Sequence, residues 1–440
     1  MLEIKYDYVP KGYGVPWPGA GPNSLYLDVG NVFLEGVIDH HHLVYGQNQR
    51  LTCTAKMVAL LLLTEDIKND PPWQSADETM SRINAWKRAS NRKDIEVTIY
   101  FHEDPDLDSF YSAFIIEKYL QGVSVEELKP LLQSSSFLEV IELADQGKEF
   151  PEKYLDEKNI HLNPYLVLEA IKFQHHNSQK FWDNVREDFF KYLQMVLEDK
   201  IDSADHVYSE QINLMKEGLD EFWENDVNHN VPIKVPSFMI QDDNAIHLIS
   251  RDVVYMQVPS HIGKRFNLFK VLFRKRGGPV WIVHRRPREA HPFHTIILSV
   301  SGEEKMALFG MGWHLERWER KLRRSGKYPD YPPRIGPFRP GYDGPDPWYD
   351  GRNQNYTIVD SPICGTVMGE DIELFFQIIS EENSRWEQSL LEAFSDMTER
   401  AMLSGGEFNV PLEQAIKSKV KDRLLRLRLQ EIELASALRS

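Results

Sequence analysis

The chain has 440 residues, 42% apolar and 11% aromatic, which is globular in character and too long for one ordinary core, so two or three domains are expected. Its longest unbroken apolar stretch, Met57 to Leu63, has seven residues, far short of the roughly 20 that a membrane-spanning helix needs. With 67 acidic and 51 basic residues the formal charge is −16, which repels a long polyanion and makes extended duplex a poor partner.

Residues 1–24 are rich in Gly, Pro and Tyr and read as an irregular arm. The opening Met1-Leu2-Glu3-Ile4-Lys5-Tyr6-Asp7 has neither a basic n-region nor an apolar core, so no secretory signal is expected and the cytoplasm is the expected compartment. The two cysteines, Cys53 and Cys364, stand far apart and argue against a disulfide framework or a zinc finger. Short apolar runs at Leu25-Tyr26-Leu27-Asp28 and Gly36-Val37-Ile38-Asp39 read as strands that end in polar loops. A helix is expected from about Thr52 to Glu65, a polar linker from Asn69 to Asp77, and a second helix near Glu78 to Ala89. Ile95 to Phe101 alternates as a strand and leads into His102-Glu103-Asp104-Pro105-Asp106-Leu107-Asp108-Ser109, after which Phe110 to Gln121 resumes helical spacing up to Gly122. Strands alternating with helices predict an α/β domain with a mostly parallel sheet, whose ligands gather at the carboxyl ends of the strands.

Residues 165–225 keep helical periodicity and read as a connector. From Pro236, strand-like runs at Ala245–Leu248, Val253–Val258, Val280–Val283 and Thr295–Val300 precede a helix at Met311–Arg324. A Pro/Gly/Tyr-rich stretch, Tyr328 to Arg352, separates these from a strand at Tyr356–Val359, and the tail from Glu373 is helical, ending in the basic amphipathic segment Lys417 to Arg439. The expected organisation is a catalytic domain over 1–160, a helical connector over 161–235, a smaller α+β substrate-binding domain over 236–375 and a helical segment over 376–440.

The chemistry concentrates in three clusters that each follow a strand. His102, Asp106 and Asp108, at i, i+4 and i+6 on a proline-containing loop, can aim one imidazole and two carboxylates at divalent cations, with a helix N-terminus beyond. Asp39-His40-His41 offers another carboxylate and two imidazoles, and Asp28 ends a neighbouring strand. Alone, the aspartates of the loop could form a polar turn and helix cap, and the histidine run a solvated loop; their joint placement after strands points to metal. A His/Asp set suits manganese better than a thiolate-loving ion.

The run Phe101 to Ser109 resembles the first motif of the DHH phosphoesterase superfamily, His-x-Asn/Asp-Pro-Asp-x-Asp-Ser, and Asp39-His40-His41 matches the triplet that names it. The order is permuted, because the second and third motifs here precede the first. The resemblance covers roughly residues 25–150, and the Gly-Gly-Gly-His pattern of the usual second domain is not visible. It implies a DHH-like catalytic domain with two ions, Mn2+ first and Mg2+ or Co2+ as alternatives. His102 and Asp106 would hold one ion, Asp108 and His40 the other, with Asp28 bridging and Asp39 in the metal set. His41 would face the substrate phosphate. Leu143-Ala144-Asp145 resembles the fourth motif, which puts Asp145 in the metal set with Asp66 as fallback.

Lys264 to Arg288 carries nine basic residues and no acid. Val280 to Val283 reads as a strand delivering Arg285 and Arg286 from its end, geometry suited to bidentate phosphate recognition, although a solvated basic surface is the plainer reading of any one of them; Arg352 is a further candidate clamp. The expected activity is hydrolysis of a phosphoester or phosphoanhydride by a two-metal-activated hydroxide. The substrate class is a small phosphorylated compound or short oligonucleotide, with no membrane partner, long nucleic acid disfavoured and a homo-oligomer left open. Two alternatives are a single-strand nuclease or effector tracking along Trp281, Phe293 and Trp313, and a non-catalytic metal-bound scaffold.

Overall fold

The computed structural model describes residues 2–10, 15–16, 19–29, 34–40, 53–63, 71–90, 94–145, 150–156, 160–176, 178–201, 205–240, 246–258, 280–287, 292–300, 306–308, 310–336, 338, 342–350, 358–380 and 392. They fall into two compact units, the first running to Glu221 and the second starting at Phe222.

The first unit is built on four parallel strands, β1 (Leu2–Val9), β2 (Ser24–Leu27), β3 (Val37–Ile38) and β4 (Ile95–His102), in the order β1-β4-β2-β3. Residues 2–9 are therefore a strand and not part of an irregular arm. Leu2, Ile4 and Tyr6 alternate with Glu3, Lys5 and Asp7, and this period-2 pattern pairs in register with β4 over the full eight residues, Leu2 opposite Ile95 and Val9 opposite His102. β4 alternates likewise, with Ile95, Val97, Ile99 and Phe101 buried. β2 lies along its other edge, pairing Tyr26 with Tyr100, and β3 follows, pairing Leu27 with Ile38. Because β2, β3 and β4 are parallel, Asp28, Asp39 and His102 all emerge at the same end of the sheet.

Around the sheet stand α1 (Thr54–Leu63), α2 (Pro71–Ser90), α3 (Leu107–Leu120), α4 (Val125–Leu132), α5 (Ser135–Asp145), α6 (Pro164–Gln174) and α7 (Phe181–Leu197); α8 (Asp205–Asp226) reaches the boundary of the unit. α3 is buried on every side from Leu107 to Ile116, as expected of a central helix. Its Phe110 and Phe114 pack with Phe101, Phe189 and Phe190 at ring separations of 5.4 to 6.5 Å. A fully buried Phe side chain contributes on the order of 1.5–3 kcal/mol. α3 stops at Gly122, whose φ of +101° suits glycine, while Val123 N donates to the Lys118 carbonyl at 3.0 Å and Gly122 N to that of Tyr119 at 3.2 Å.

The second unit holds a mixed sheet of β5 (Val227–Ile240), β6 (Ile246–Val258), β7 (Val280–Arg285), β8 (Thr295–Val300), β9 (Met306–Ala307), β10 (Tyr349–Asp350) and β11 (Ile358–Asp360), in the order β10-β11-β8-β7-β6-β5-β9. Neighbours are antiparallel except β6 and β7. β5 begins at Val227, before Pro236, where the sequence places the start of the second domain, and before Ala245, where it places the first strand-like run of that domain. α9 (Met311–Arg324) and α10 (Ile372–Ile379) pack on a core that includes Ile282, Leu298, Trp348 and Phe375. α9 also buries two acids. Glu319 accepts from Arg323 Nε at 2.7 Å, Thr366 Oγ1 at 2.6 Å and Val367 N at 3.1 Å, and Glu316 accepts from Arg320 Nε at 2.6 Å, Arg334 Nη1 at 2.7 Å and Trp348 N at 3.2 Å. The first unit is thus α/β with a parallel sheet, and the second is a mixed-sheet accessory unit.

Candidate metal centre

Asp28 follows β2 with a φ of +58°, in the left-handed region that L residues other than Asn and Asp rarely visit. The turn carries its carboxylate into a buried space where it is 2% exposed. One oxygen, Oδ1, accepts from Thr54 Oγ1 at 3.3 Å and lies 3.3 Å from His40 Nε2; the other, Oδ2, accepts from Ser109 Oγ at 2.9 Å and lies 3.4 Å from His102 Nε2.

Asp106 and Asp108 come from the start of α3. Asp106 is its N-cap, accepting from Ser109 N at 3.2 Å, and its Oδ1 lies 3.9 Å from His102 Nε2. Asp108, 1% exposed, takes hydrogen bonds on both oxygens from the first amides of α1, Thr54 N to Oδ2 and Ala55 N to Oδ1, each at 2.7 Å. Such amides have no partner within their own helix, so α1 and α3 are tied end to end through this carboxylate. His40, after β3, lies 3.8 Å from Asp108 Oδ2 and 3.7 Å from Asp145 Oδ2 at the end of α5.

These side chains form two sets of donor atoms that share one member: Asp28 with His102 and Asp106, and Asp28 with His40 and Asp108, the atoms of each set lying within 4.8 Å of one another. Oxygen and nitrogen donors without a thiolate fit a hard or borderline divalent cation. The electrostatics fit as well. Burial, and after it the charge of Asp28, pushes the Asp108 carboxyl well above the usual carboxylate range, with His40 opposing. Burial pushes the His102 imidazole down, but pairing with Asp106 and Asp28 raises it further, to about 10; with 31% of that side chain exposed, the carboxylates dominate. The site concentrates negative charge, for which protons and a divalent ion would compete. Cys53 is no competitor, since burial holds its thiol far above its ordinary range.

Of the residues singled out in the sequence, Asp28, His40, His102, Asp106 and Asp108 come together in the two sets, and Asp145 reaches His40. Asp39 is buried beside them at 2% exposure and belongs to neither set. His41 and the fallback Asp66 lie outside the described residues, as do Lys264 to Arg276, Arg288, Arg352 and Lys417 to Arg439. Arg285 and Arg286 belong to the second unit, where Arg286 Nη2 donates to Gln257 Oε1 at 2.6 Å. Sequence reasoning gave no role to Thr54, and it quoted Ser109 only as the end of a motif. The Ser109 hydroxyl reaches Asp28, Asp106 and, at 3.1 Å, His102 Nε2; the signal for Thr54 was a hydroxyl residue at the head of an apolar helix.

Comparison of the chain with protein-family models, curated proteins and solved structures gives no match. What the molecule itself defines is an α/β fold with two His/Asp clusters able to hold divalent metal ions.

Proposed function

We propose that this chain is a divalent-metal-dependent phosphohydrolase similar to the DHH phosphoesterases, acting on a small phosphorylated compound or a short oligonucleotide. The observation that carries the reading is the sharing of Asp28 between two His/Asp sets at the carboxyl end of a parallel sheet. The permuted motif order is compatible with it, because a metal cage depends on where strand ends lie in space and not on their order along the chain.

In this reading Asp28 would serve both ions, His102 and Asp106 would hold one and His40 and Asp108 the other, with Asp39 and Asp145 proposed as further members of the metal set. Manganese is the first choice, with Mg2+ and Co2+ as alternatives. Two bound divalent ions supply a lowered pKa for water and neutralisation of phosphoryl charge. The protein supplies rigidity: the Ser109 hydroxyl, the Thr54 hydroxyl and the α1 amides hold Asp28 and Asp108 in place. His41 is assigned to the substrate phosphate and leaving group, while Arg285 and Arg286 stay candidates for phosphate recognition within the second unit. Burial of Trp281 and Trp313, at 0% and 4% exposure, removes two aromatics from any single-strand stacking track and favours the small substrate.

The test is hydrolysis by the chelator-stripped protein, with and without Mn2+, of pyrophosphate, cyclic dinucleotides, short oligonucleotides and single-stranded DNA. Activity is expected only with metal, and Asp108→Ala and His40→Ala are each expected to remove most of it while far-UV circular dichroism stays unchanged. Full activity after chelation, or unchanged turnover in both variants, would overturn the proposal.

A further inference from the structure

α6 reads Pro164-Tyr165-Leu166-Val167-Leu168-Glu169-Ala170-Ile171-Lys172-Phe173-Gln174, an apolar helix with one acid and one base, three residues apart. Both charged residues are 1% exposed. Lys172 Nζ donates to Glu169 Oε1 at 2.9 Å and lies 5.7 Å from the centre of the Trp182 ring. The other oxygen, Glu169 Oε2, is buried and has no hydrogen-bond partner among the described residues.

An isolated buried ion pair is a poor means of stabilisation, because desolvation costs several kcal/mol per ion and apolar residues of similar volume do as well or better. A buried carboxylate oxygen left without a donor adds to that cost. Its surroundings point to another role. Glu169 lines a small cavity with Asp106, Asp108, Asp145 and Tyr165, whose free space is about that of one water molecule. Three of these neighbours are carboxylates of the candidate metal centre, so the cavity wall is rich in acceptors. A species that donates in more than one direction, which is what a water molecule does, satisfies such a wall.

We propose that Glu169 is a positioning residue of the metal centre: Lys172 fixes its Oε1, and its Oε2 accepts a hydrogen bond from a water held in the cavity beside Asp106, Asp108 and Asp145. The role rests on the phosphohydrolase reading, because the cavity is walled by Asp106 and Asp108 of the proposed ligand sets. It requires neither direct metal ligation nor contact with substrate.

The experiment compares the full-length wild-type chain with Glu169→Gln and with the double variant Glu169→Leu/Lys172→Met, which replaces the pair by apolar groups. Each is measured by thermal melting, Mn2+ titration calorimetry, water-proton relaxivity of the Mn2+-loaded protein, and Mn2+-dependent hydrolysis of bis(p-nitrophenyl) phosphate. The double variant is expected to melt no lower than wild type and to bind the same number of Mn2+ ions. Its relaxivity per ion should fall, because an apolar wall no longer orders the water. In both variants kcat should drop by about 10- to 100-fold, the range for residues that orient a metal centre from outside, with KM unchanged. Wild-type relaxivity and kcat in Glu169→Gln, or in a stably folded double variant, would reduce Glu169 to a packing residue and overturn the inference alone. A wild-type chain that binds no Mn2+ would overturn the proposed function itself, and the inference with it.

Discussion

Ser109 Oγ touches Asp28, Asp106 and His102, side chains contributed by β2, the α3 cap and β4. Removing one hydroxyl therefore loosens members of both donor sets while leaving every charge in place. Ser109→Ala is expected to weaken Mn2+ binding by about 10- to 100-fold, read by calorimetry, with the melting temperature little changed; wild-type affinity would show that the carboxylates are held by other bonds. The ligand candidates were legible because acids and histidines clustered after strands. Ser109, Thr54 and Glu169 gained no role because their meaning lies in partners far along the chain, 81 residues away for Ser109 and Asp28. For Glu169 the local signal was an acid in an apolar helix, which becomes informative only once its burial is known.

A second residue-scale prediction concerns the other unit. Tyr255 Oη and His284 Nδ1 are 2.8 Å apart, and His284 Nε2 and His294 Nδ1 2.7 Å apart, with His294 Nε2 3.7 Å from Glu370. Burial, then the charges of His294 and Arg286, pushes His284 down to about 3, and burial also lowers His294. The unfolded chain titrates near 6.5, so between about 3 and 6.5 the folded state binds fewer protons than the unfolded one. Stability is then fully present above pH 6.5 and is lost as pH falls through that window, by up to about 1.4 kcal/mol per pH unit for His284, with His294 adding in the same direction. Urea unfolding at pH 7 and pH 5 should show the decline, and His284→Gln should show a shallower one; equal slopes in the two proteins would remove the histidine pair as the cause.

At the scale of elements, α9 shows how the accessory unit fixes its loops. Glu319 is fully buried, and its two oxygens reach Arg323, Thr366 and Val367, joining the helix to the segment after β11. Glu319→Ala leaves the Arg323 Nη groups on the Pro332 and Gly365 carbonyls but takes the acceptor from Arg323 Nε, Thr366 Oγ1 and Val367 N, and a buried donor left unpaired costs about 1–3 kcal/mol. Urea unfolding should register a loss of that size, and a loss below 1 kcal/mol would mean that water replaces the carboxylate. The helix itself was legible end to end, Met311–Arg324, from its amphipathic spacing. β1 was not, although Leu2 to Tyr8 alternates strictly, because the Gly/Pro-rich residues that follow it dominated the composition of that segment. β5 was obscured by Pro232 and Pro236, which donate no backbone hydrogen bond; the strand accommodates register shifts between Asn228 and Val231 and between Val231 and Lys234, and among the described residues its pairing with β9 is confined to Phe238 and Met239.

At the scale of the molecule, net charge bears on what the proposed hydrolase can hold. A charge of −16 opposes a polyanion everywhere except at local basic groups. Of the nine bases between Lys264 and Arg288, Arg285 and Arg286 are described, and Arg286 is already engaged with Gln257. A small phosphate compound needs only a few cationic partners, whereas a long strand needs a continuous row of them. Affinity for a single strand falls with salt by about 0.7 decade per phosphate neutralised for each decade of salt. A strand making about six such contacts would lose about four decades over a tenfold rise in salt, and a substrate making about two would lose little more than one. The expected outcome is a shallow salt dependence of kcat/KM for a dinucleotide and weak, non-competitive cleavage of a long single strand. Mn2+ binding is expected to survive Arg286→Ala, because the candidate ligands belong to the first unit. A steep salt slope together with preference for the long strand would transfer the chain from the small-substrate class to the nucleases without disturbing the metal centre.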